Sequence, residues 1–495
     1  MWALQTTLIR CTAFAAAALL PPPVLAHSFG RAYNLPVPFW LYAWGAAATL
    51  VASFLVVGYF ASTASQRPGY RAVDVTDSRS FRRARTLKVP AVLKGLSLAG
   101  LLLCLVTGFA GTPSPYGNFN MTFFWIWFVL GLAYLSALIG DVYALINPWR
   151  VLADALAMPF KSYAAGRYRY PARLGYWPAV ALYGAFIWIE LFGGTGPYTL
   201  AVILSGYSFV NLVGVGLFGA RDWFRYCEFF GLFLRLIATL APVALEPDQA
   251  GQLRVRLRLP FTGVLEAPAE NIGMLVFTLF MLSSTAFDGL RETAAWQRLF
   301  WLDLYQAGLQ HWVGSNPLAA YPAMRQLFLY WQSFWLFASP FVYLAIYLAF
   351  VWLMQRCAGR GHPVRVLALR FAPTLLPIAL VYNITHYYTL IQTQGVKIVS
   401  LASDPLGRGW NLFGTAHWLQ RAIIPDLGTV WHVQVGLIVA GHVVSVYLAH
   451  QVALRTFNDR RRAVVSQLPM LALMVLFTTA GLWILSQPLV TPGSN

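Results

Sequence analysis

The sequence predicts an all-α fold, a polytopic membrane helix bundle with about ten transmembrane helices and additional interfacial helices. Hydrophobic residues make up 58% of the 495 residues and charged residues only 11%, whereas a soluble globular chain carries about 25% charged residues. Apolar segments long enough to cross a bilayer also recur along most of the chain. Lipid is therefore the expected solvent for most of the molecule.

Residues 1–26, MWALQTTLIRCTAFAAAALLPPPVLA, have the anatomy of a secretory signal peptide. A single basic residue, Arg10, precedes an apolar run that is too short to span a hydrocarbon layer of about 30 Å. Val24 and Ala26 are the small residues expected at positions −3 and −1 of a cleavage site. Cleavage after Ala26 makes His27 the first residue of the mature chain; the alternative is an uncleaved anchor with a kink at three prolines.

Ten apolar segments predict the membrane helices that follow the leader. They lie at about 38–60, 95–112, 120–146, 177–195, 198–219, 268–288, 324–355, 366–392, 431–453 and 468–487. A further apolar stretch, 226–245, is ambiguous because it contains Glu228 and Arg235 and includes a proline near its end.

Loop charge indicates how this ambiguous stretch is placed. If 226–245 crossed the membrane, the basic segments 356–365 and 455–462 would lie outside, contrary to the positive-inside rule. We therefore expect it to form an amphipathic helix in the cytoplasmic interface, followed by a short hairpin in GQLRVRLRLPFTG. Residues 27–495 then form a single membrane-embedded helical domain with both mature termini in the periplasm.

These features predict a multi-pass protein of the bacterial inner membrane. The formal net charge of +18 is also typical of nucleic-acid-binding proteins, but basic cytoplasmic loops account for it. The expected partners are the lipid bilayer and a small hydrophobic substrate, with a second subunit as a further option, and no nucleic acid.

Ionisable residues inside membrane helices are costly and indicate function by default. In the predicted topology, Glu190, Asp288, His386 and His432 all lie towards the periplasmic leaflet, as does His27. We predict that His27, Asp288 and His386 bind a divalent transition metal, copper or zinc, because imidazole and carboxylate are ligands for such ions. A free amino-terminal histidine also chelates through its own amine. Glu190 and His432 are the predicted catalytic residues, each acting as a base or an additional ligand.

The segment around His386 supports this site. At helical spacing, Asn383, His386, Leu390 and Thr393 share one side of their helix, and such a partly polar stripe must face protein or a wet cavity. The alternative interpretations are structural: Glu190 and Asp288 are close enough to helix ends to be solvated, and His432 is suited to an interface anchor. His442, near the middle of its helix, is interpreted as a packing residue.

Four stretches carry a resemblance to a known family. AHSFGRAYNLPVPFWLYAWGAAATLVASF, GDVYALINPWR, LSSTAFDGL and YNITHYYTLIQTQG resemble the bacterial polytopic membrane proteins called fenitrothion hydrolases. The resemblance covers most of the chain after the leader. It implies hydrolysis of an organophosphorus triester to a nitrophenol and a dialkyl thiophosphate, and it carries over no catalytic residues.

We therefore expect a membrane-bound hydrolase of organophosphorus triesters such as fenitrothion, metal-assisted in its chemistry, with a site that opens to the periplasmic leaflet. The alternative is a multi-pass transporter or a metal-handling membrane protein of the cell envelope, since ten helices with buried polar residues fit a transporter. A third option is a subunit that anchors a periplasmic partner through two long outer loops.

Overall fold

A computed structural model describes residues 37–63, 72–160, 162–247, 253–359, 361–419, 423, 426–457 and 459–487. The leader and His27 lie outside the described residues. Nine described helices are long and apolar enough to cross a membrane, which confirms the predicted all-α bundle of a multi-pass membrane protein. They are α1 (Phe39–Thr63), α3 (Val89–Ala110), α4 (Phe119–Ile139), α8 (Pro197–Phe218), α11 (Ile272–Arg291), α14 (Pro317–Ala358), α15 (Val364–Thr393), α17 (Leu427–Thr456) and α18 (Arg460–Ser486).

Shorter elements connect these helices. The helical ones are α2 (Arg79–Thr86), α5 (Tyr143–Ile146), α6 (Pro148–Ala157), α7 (Trp177–Phe192), α9 (Ala220–Tyr226), α10 (Phe229–Ala238), α12 (Ala294–Arg298), α13 (Gln310–Val313) and α16 (Ile398–Ser403). Two π-helical stretches occur, one within α4 (Phe123–Gly131) and one between α12 and α13 (Leu299–Leu309). The strands are β1 (Val73–Asp74), β2 (Val243–Pro247) and β3 (Leu253–Leu257).

Helix α7 also runs between the two ends of the bundle, although it has only 16 residues. Tyr176, just before its first residue, accepts a hydrogen bond from Arg235, and Glu190 near its other end bonds Tyr387 of α15. Nine of the ten predicted crossings are thus helices of spanning length among the described residues, and α7, at the position of the fourth, is shorter.

The ambiguous stretch does not form a spanning helix, as predicted, but it is buried in the protein and not exposed as an interfacial helix would be. Helix α10 has ten residues, about 15 Å of rise, so it is too short to cross a bilayer. It does not lie in an interface, however, because Phe230, Leu232 and Leu234 are all buried inside the protein. Its two polar residues sit near its ends: Glu228 caps the first turn, and Arg235 donates a hydrogen bond to the backbone carbonyl of Arg225.

Contacts between loops define two ends of the bundle. At one end, which we call the basic end, the His362 ring bonds the carbonyl of Thr456 at the end of α17. A small sheet also lies there, with β2 and β3 antiparallel and β1 on the other side of β3. Only β3 falls within the segment predicted to form a hairpin, because its partner β2 precedes that segment. At the other end, the Thr112 N–H donates to the Leu406 carbonyl. We call this the dyad end, after the residue pair described below.

Helix α11 lies at the centre of the bundle. It begins at Asn271, whose side chain accepts the N–H of Met274 and satisfies a donor that the first turn leaves without a partner. Every residue from Gly273 to Asp288 is buried. Asp288 is only 3% exposed. The alternative interpretation, in which its position near a helix end exposes it to solvent, is therefore wrong. A carboxylate at this position needs protein partners.

Candidate active site

Asp288 and His386 form a direct contact between α11 and α15. His386 Nε2 lies 2.6 Å from Asp288 Oδ2, and the side chains are only 8% and 5% exposed. We call this pair the dyad. The structure thus joins two residues that the sequence analysis selected from segments about 100 residues apart.

Arg291 determines which residue of the dyad donates the hydrogen bond between them. Its Nε donates to Asp288 Oδ1 over 3.0 Å, and a guanidinium is always charged in proteins. The Asp288 carboxylate beside it is therefore ionised and accepts hydrogen bonds only. With the carboxylate as acceptor, His386 Nε2 donates the hydrogen bond of the dyad.

Tyr387 connects the dyad to a second carboxylate. Its hydroxyl donates to Glu190 Oε1 on α7 over 2.7 Å. The Tyr387 and His386 rings meet edge to face with their centroids 4.8 Å apart. Glu190, Asp288, Arg291, His386 and Tyr387 thus form a connected group, which we call the dyad cluster.

Polar contacts continue on both sides of the dyad cluster. One helical turn before Asp288, Ser284 bonds the Tyr183 hydroxyl of α7 at 3.2 Å. One turn before His386, Asn383 accepts a hydrogen bond from Tyr134 of α4 at 3.1 Å. The polar side of α15 therefore faces other helices, as the spacing of its residues predicts.

The metal interpretation depends on which atoms of the dyad are occupied. Two ligands of one transition metal, each at about 2.0–2.2 Å, normally have donor atoms roughly 3 Å apart; the 2.6 Å contact of the dyad is a hydrogen bond. Asp288 Oδ1 is occupied by Arg291. Asp288 thus orients His386, as carboxylates do for metal-bound histidines.

No group of three or more His, Cys, Asp and Glu residues is arranged for metal binding within the described part of the chain. His27, the third predicted ligand, lies outside it. The copper or zinc site at His27, Asp288 and His386 therefore stays a prediction.

His432 occupies a different environment from the dyad. It is exposed near the start of α17, where its Nδ1 contacts the Gly428 carbonyl at 2.7 Å and its ring lies near that of Tyr42. No hydrogen bond or ring contact among the described residues joins it to the dyad. Its predicted catalytic role has no support in this geometry.

His442 is 1% exposed, and its Nδ1 donates to the Ile438 carbonyl at 2.8 Å. This local bond to the backbone of its own helix agrees with the packing role inferred from the sequence. His442 therefore provides a buried histidine in a membrane helix that, among the described residues, forms no hydrogen bond or ring contact with the dyad cluster.

Sequence reasoning missed Arg291 and Tyr387. Arg291 follows Asp288 by three residues, a spacing at which opposite charges meet on a helix. The segment DGLR could therefore have predicted this ion pair. Tyr387 is adjacent to His386, and consecutive helical residues point in different directions. Its bond to α7 depends on how the helices pack and had no sequence signal.

Glu228 is a second buried carboxylate, 0% exposed. Its Oε1 accepts from the Tyr207 hydroxyl at 2.7 Å and the Tyr143 hydroxyl at 3.3 Å. Its Oε2 accepts from the Asn147 amide at 3.2 Å and the Gly231 N–H at 2.7 Å. The carboxylate also accepts the Phe230 N–H, so its hydrogen-bonding capacity is filled by neutral donors.

No protein-family model, curated protein or solved structure matches this chain. A functional conclusion therefore rests on the geometry of the dyad cluster and on the resemblance carried by the four sequence stretches.

Proposed function

We propose that this chain is a membrane-bound hydrolase of neutral, lipid-soluble organophosphorus triesters such as fenitrothion, with its site at the dyad cluster. The observation that carries the proposal is the 2.6 Å hydrogen bond between Asp288 and His386, buried at the dyad end of the bundle. The resemblance to fenitrothion hydrolases supplies the substrate class.

In this proposal His386 is the general base. The His386 ring takes a proton from a water molecule, the water oxygen bonds to phosphorus, and the P–O bond to the aryl group breaks, with the electron pair leaving on the nitrophenolate. Asp288 stabilises the imidazolium that forms. A positioned base of this kind contributes roughly 10²–10⁴-fold to a rate.

Arg291 and Glu190 act as positioning residues. Arg291 keeps the Asp288 carboxylate ionised, and Glu190 fixes the Tyr387 hydroxyl beside the His386 ring. His386 is favoured over Glu190 as the base because it has an ionised partner that holds its tautomer.

The position of the dyad cluster suits an apolar substrate. A triester that partitions into lipid is concentrated in the bilayer and reaches the ends of membrane helices from there. The positive-inside rule assigns the basic end to the cytoplasm, so the proposed site opens to the periplasmic leaflet of a bacterial inner membrane.

The deciding experiment compares two buried histidines in membrane helices. The wild-type protein, His386→Ala and His442→Ala are purified in detergent, and nitrophenolate release from fenitrothion is measured per folded molecule. We expect His386→Ala to lose at least about 100-fold in turnover and His442→Ala to keep turnover close to that of the wild type. Full turnover in His386→Ala contradicts the proposal.

Metal analysis of the same three preparations tests the predicted copper or zinc. If a metal is bound through His386, its content falls in His386→Ala and not in His442→Ala. If the protein is an active hydrolase without stoichiometric metal, His386 acts as a base alone. That result keeps the proposed function and contradicts the predicted metal site.

A transporter is the second candidate, because the dyad cluster places five polar or charged side chains among three membrane helices, and such groups also mark proton and substrate pathways. Proteoliposomes distinguish the two. Uptake of an intact substrate without nitrophenolate release favours the transporter.

A further inference from the structure

A cleft of about 360 Å³ opens at the dyad end, between the loop after α3 and the segment after α15. No residue of the dyad cluster lines it. Lys397 follows His386 by eleven residues, roughly 16 Å at helical rise, so the cleft is separate from the proposed active site. Its polar lining includes Thr112, Tyr116, Lys397, Ser400 and Asp404.

The two walls of the cleft are joined directly. The Thr112 N–H donates to the Leu406 carbonyl at 2.9 Å, and the Arg408 guanidinium donates to the Ala110 carbonyl at 3.1 Å. Gly407 has φ of +66°, and a Cβ there would lie 2.5 Å from the Thr112 side chain. Only glycine allows this close approach, so the shape of the cleft is built into the backbone.

Lys397 is the cation of the cleft. Its ammonium lies 5.5 Å from the centre of the Tyr116 ring, and the side chain is half-buried. Partial burial lowers the pKa of Lys397. Among the residues that the structure describes, it forms no ion pair. A partly desolvated ammonium of this kind favours a negatively charged ligand.

Asp404 does not neutralise this cation. Its two carboxylate oxygens accept the backbone N–H groups of Arg408 and Gly409 at 2.9 and 2.7 Å. The carboxylate is thus bound to its own loop, and its charge disfavours a ligand with more than one negative charge. The exposed ring of Tyr116 provides an apolar contact beside the ammonium.

The depth of the cleft indicates where its ligand comes from. Its walls begin just after Ala110, the end of α3, and Thr393, the end of α15. Both are ends of membrane-spanning helices, so the cleft lies at the level of the lipid headgroups.

We propose that this cleft binds a phosphodiester monoanion, with the phosphoryl oxygens on the Lys397 ammonium and an ester carbon group against the Tyr116 ring. Both a phospholipid headgroup and a soluble dialkyl phosphate present this chemistry. The site is independent of the proposed hydrolysis.

Calorimetric titration of the full-length protein tests the proposal with two probes, diethyl phosphate and a short-chain phosphatidylglycerol below its micelle concentration. We expect at least one probe to bind and Lys397→Gln to weaken it at least about tenfold, equivalent to 1.4 kcal/mol. Binding of phosphatidylglycerol alone identifies a headgroup site, whereas binding of diethyl phosphate identifies a site for soluble diesters.

Three variants locate the binding. Lys94→Gln removes the same charge from an exposed position on α3 and should leave affinity unchanged. His386→Ala should also leave it unchanged, which separates the cleft from the active site whether or not the protein is a hydrolase. Tyr116→Leu should weaken binding, less than Lys397→Gln does. If neither probe binds, or if Lys397→Gln binds as the wild type does, the proposal is overturned.

Discussion

Two buried carboxylates, Asp288 and Glu228, are stabilised in opposite ways. Asp288 bonds the guanidinium of Arg291 and the imidazole of His386, a cation and a basic ring. Glu228 bonds two phenols, an amide and two backbone N–H groups, none of which changes its protonation state at physiological pH.

Under the proposed function, this difference separates a site for chemistry from a site for structure. Burial of either carboxylate without partners is costly, so both arrangements contribute to folding. Around Glu228, Trp149 and Phe230 stack with an interplanar angle of 2°, and its carboxylate caps α10 inside the protein. Asp288 instead lies near the end of its helix, and its partners are a guanidinium and an imidazole.

The largest effect is expected from Asp288→Asn. The amide cannot hold the His386 tautomer as a carboxylate does, and Arg291 loses one of its two counter-charges, since it also pairs with Glu292 at 3.0 Å. We expect kcat for nitrophenolate release to fall on the order of 10³-fold, with KM changed much less, because Asp288 acts through His386 and not on the substrate.

A pH–rate profile separates this role from a structural one. If Asp288 positions the base, the residual activity of folded Asp288→Asn shows a changed dependence of kcat on pH. A variant with normal kcat per folded molecule would show that the charged partners of Asp288 serve stability alone, as the neutral partners of Glu228 do.

The second effect concerns stability. Glu228→Ala removes a helix cap and leaves buried donors without an acceptor, which should lower the free energy of unfolding by about 2–4 kcal/mol. Glu228→Gln keeps one acceptor oxygen and should lose less. Thermal unfolding in detergent measures both.

Turnover per folded molecule should stay close to wild type in both Glu228 variants. If Glu228→Ala instead kept its melting temperature and lost turnover, Glu228 would belong to the functional machinery and the contrast with Asp288 would be wrong.

The sequence predicted the class of fold because hydropathy and loop charge depend on local composition. It also selected Asp288 and His386, since lone ionisable residues inside apolar helices are conspicuous. It did not predict the burial of α10, because Glu228 and Arg235 resemble the polar face of an interfacial helix until their tertiary partners are known. Arg291 carried a usable spacing signal, whereas the bond between Tyr387 and Glu190 arises from the packing of α7 against α15.

The smallest effect is expected from Tyr387→Phe, which removes one hydroxyl from the dyad cluster. Loss of its 2.7 Å bond to Glu190 should relax the position of the His386 ring and lower kcat by about tenfold, or 1.4 kcal/mol.

The matched control is Tyr183→Phe, which removes a hydroxyl bonded to Ser284 at 3.2 Å, one turn before Asp288 in α11. The two variants lose the same atom at neighbouring depths of the bundle, so a similar destabilisation is expected in both. Only Tyr387→Phe should lower turnover per folded molecule; equal turnover in the two variants would restrict the functional site to Asp288, Arg291 and His386 and leave Glu190 with a structural role like that of Glu228.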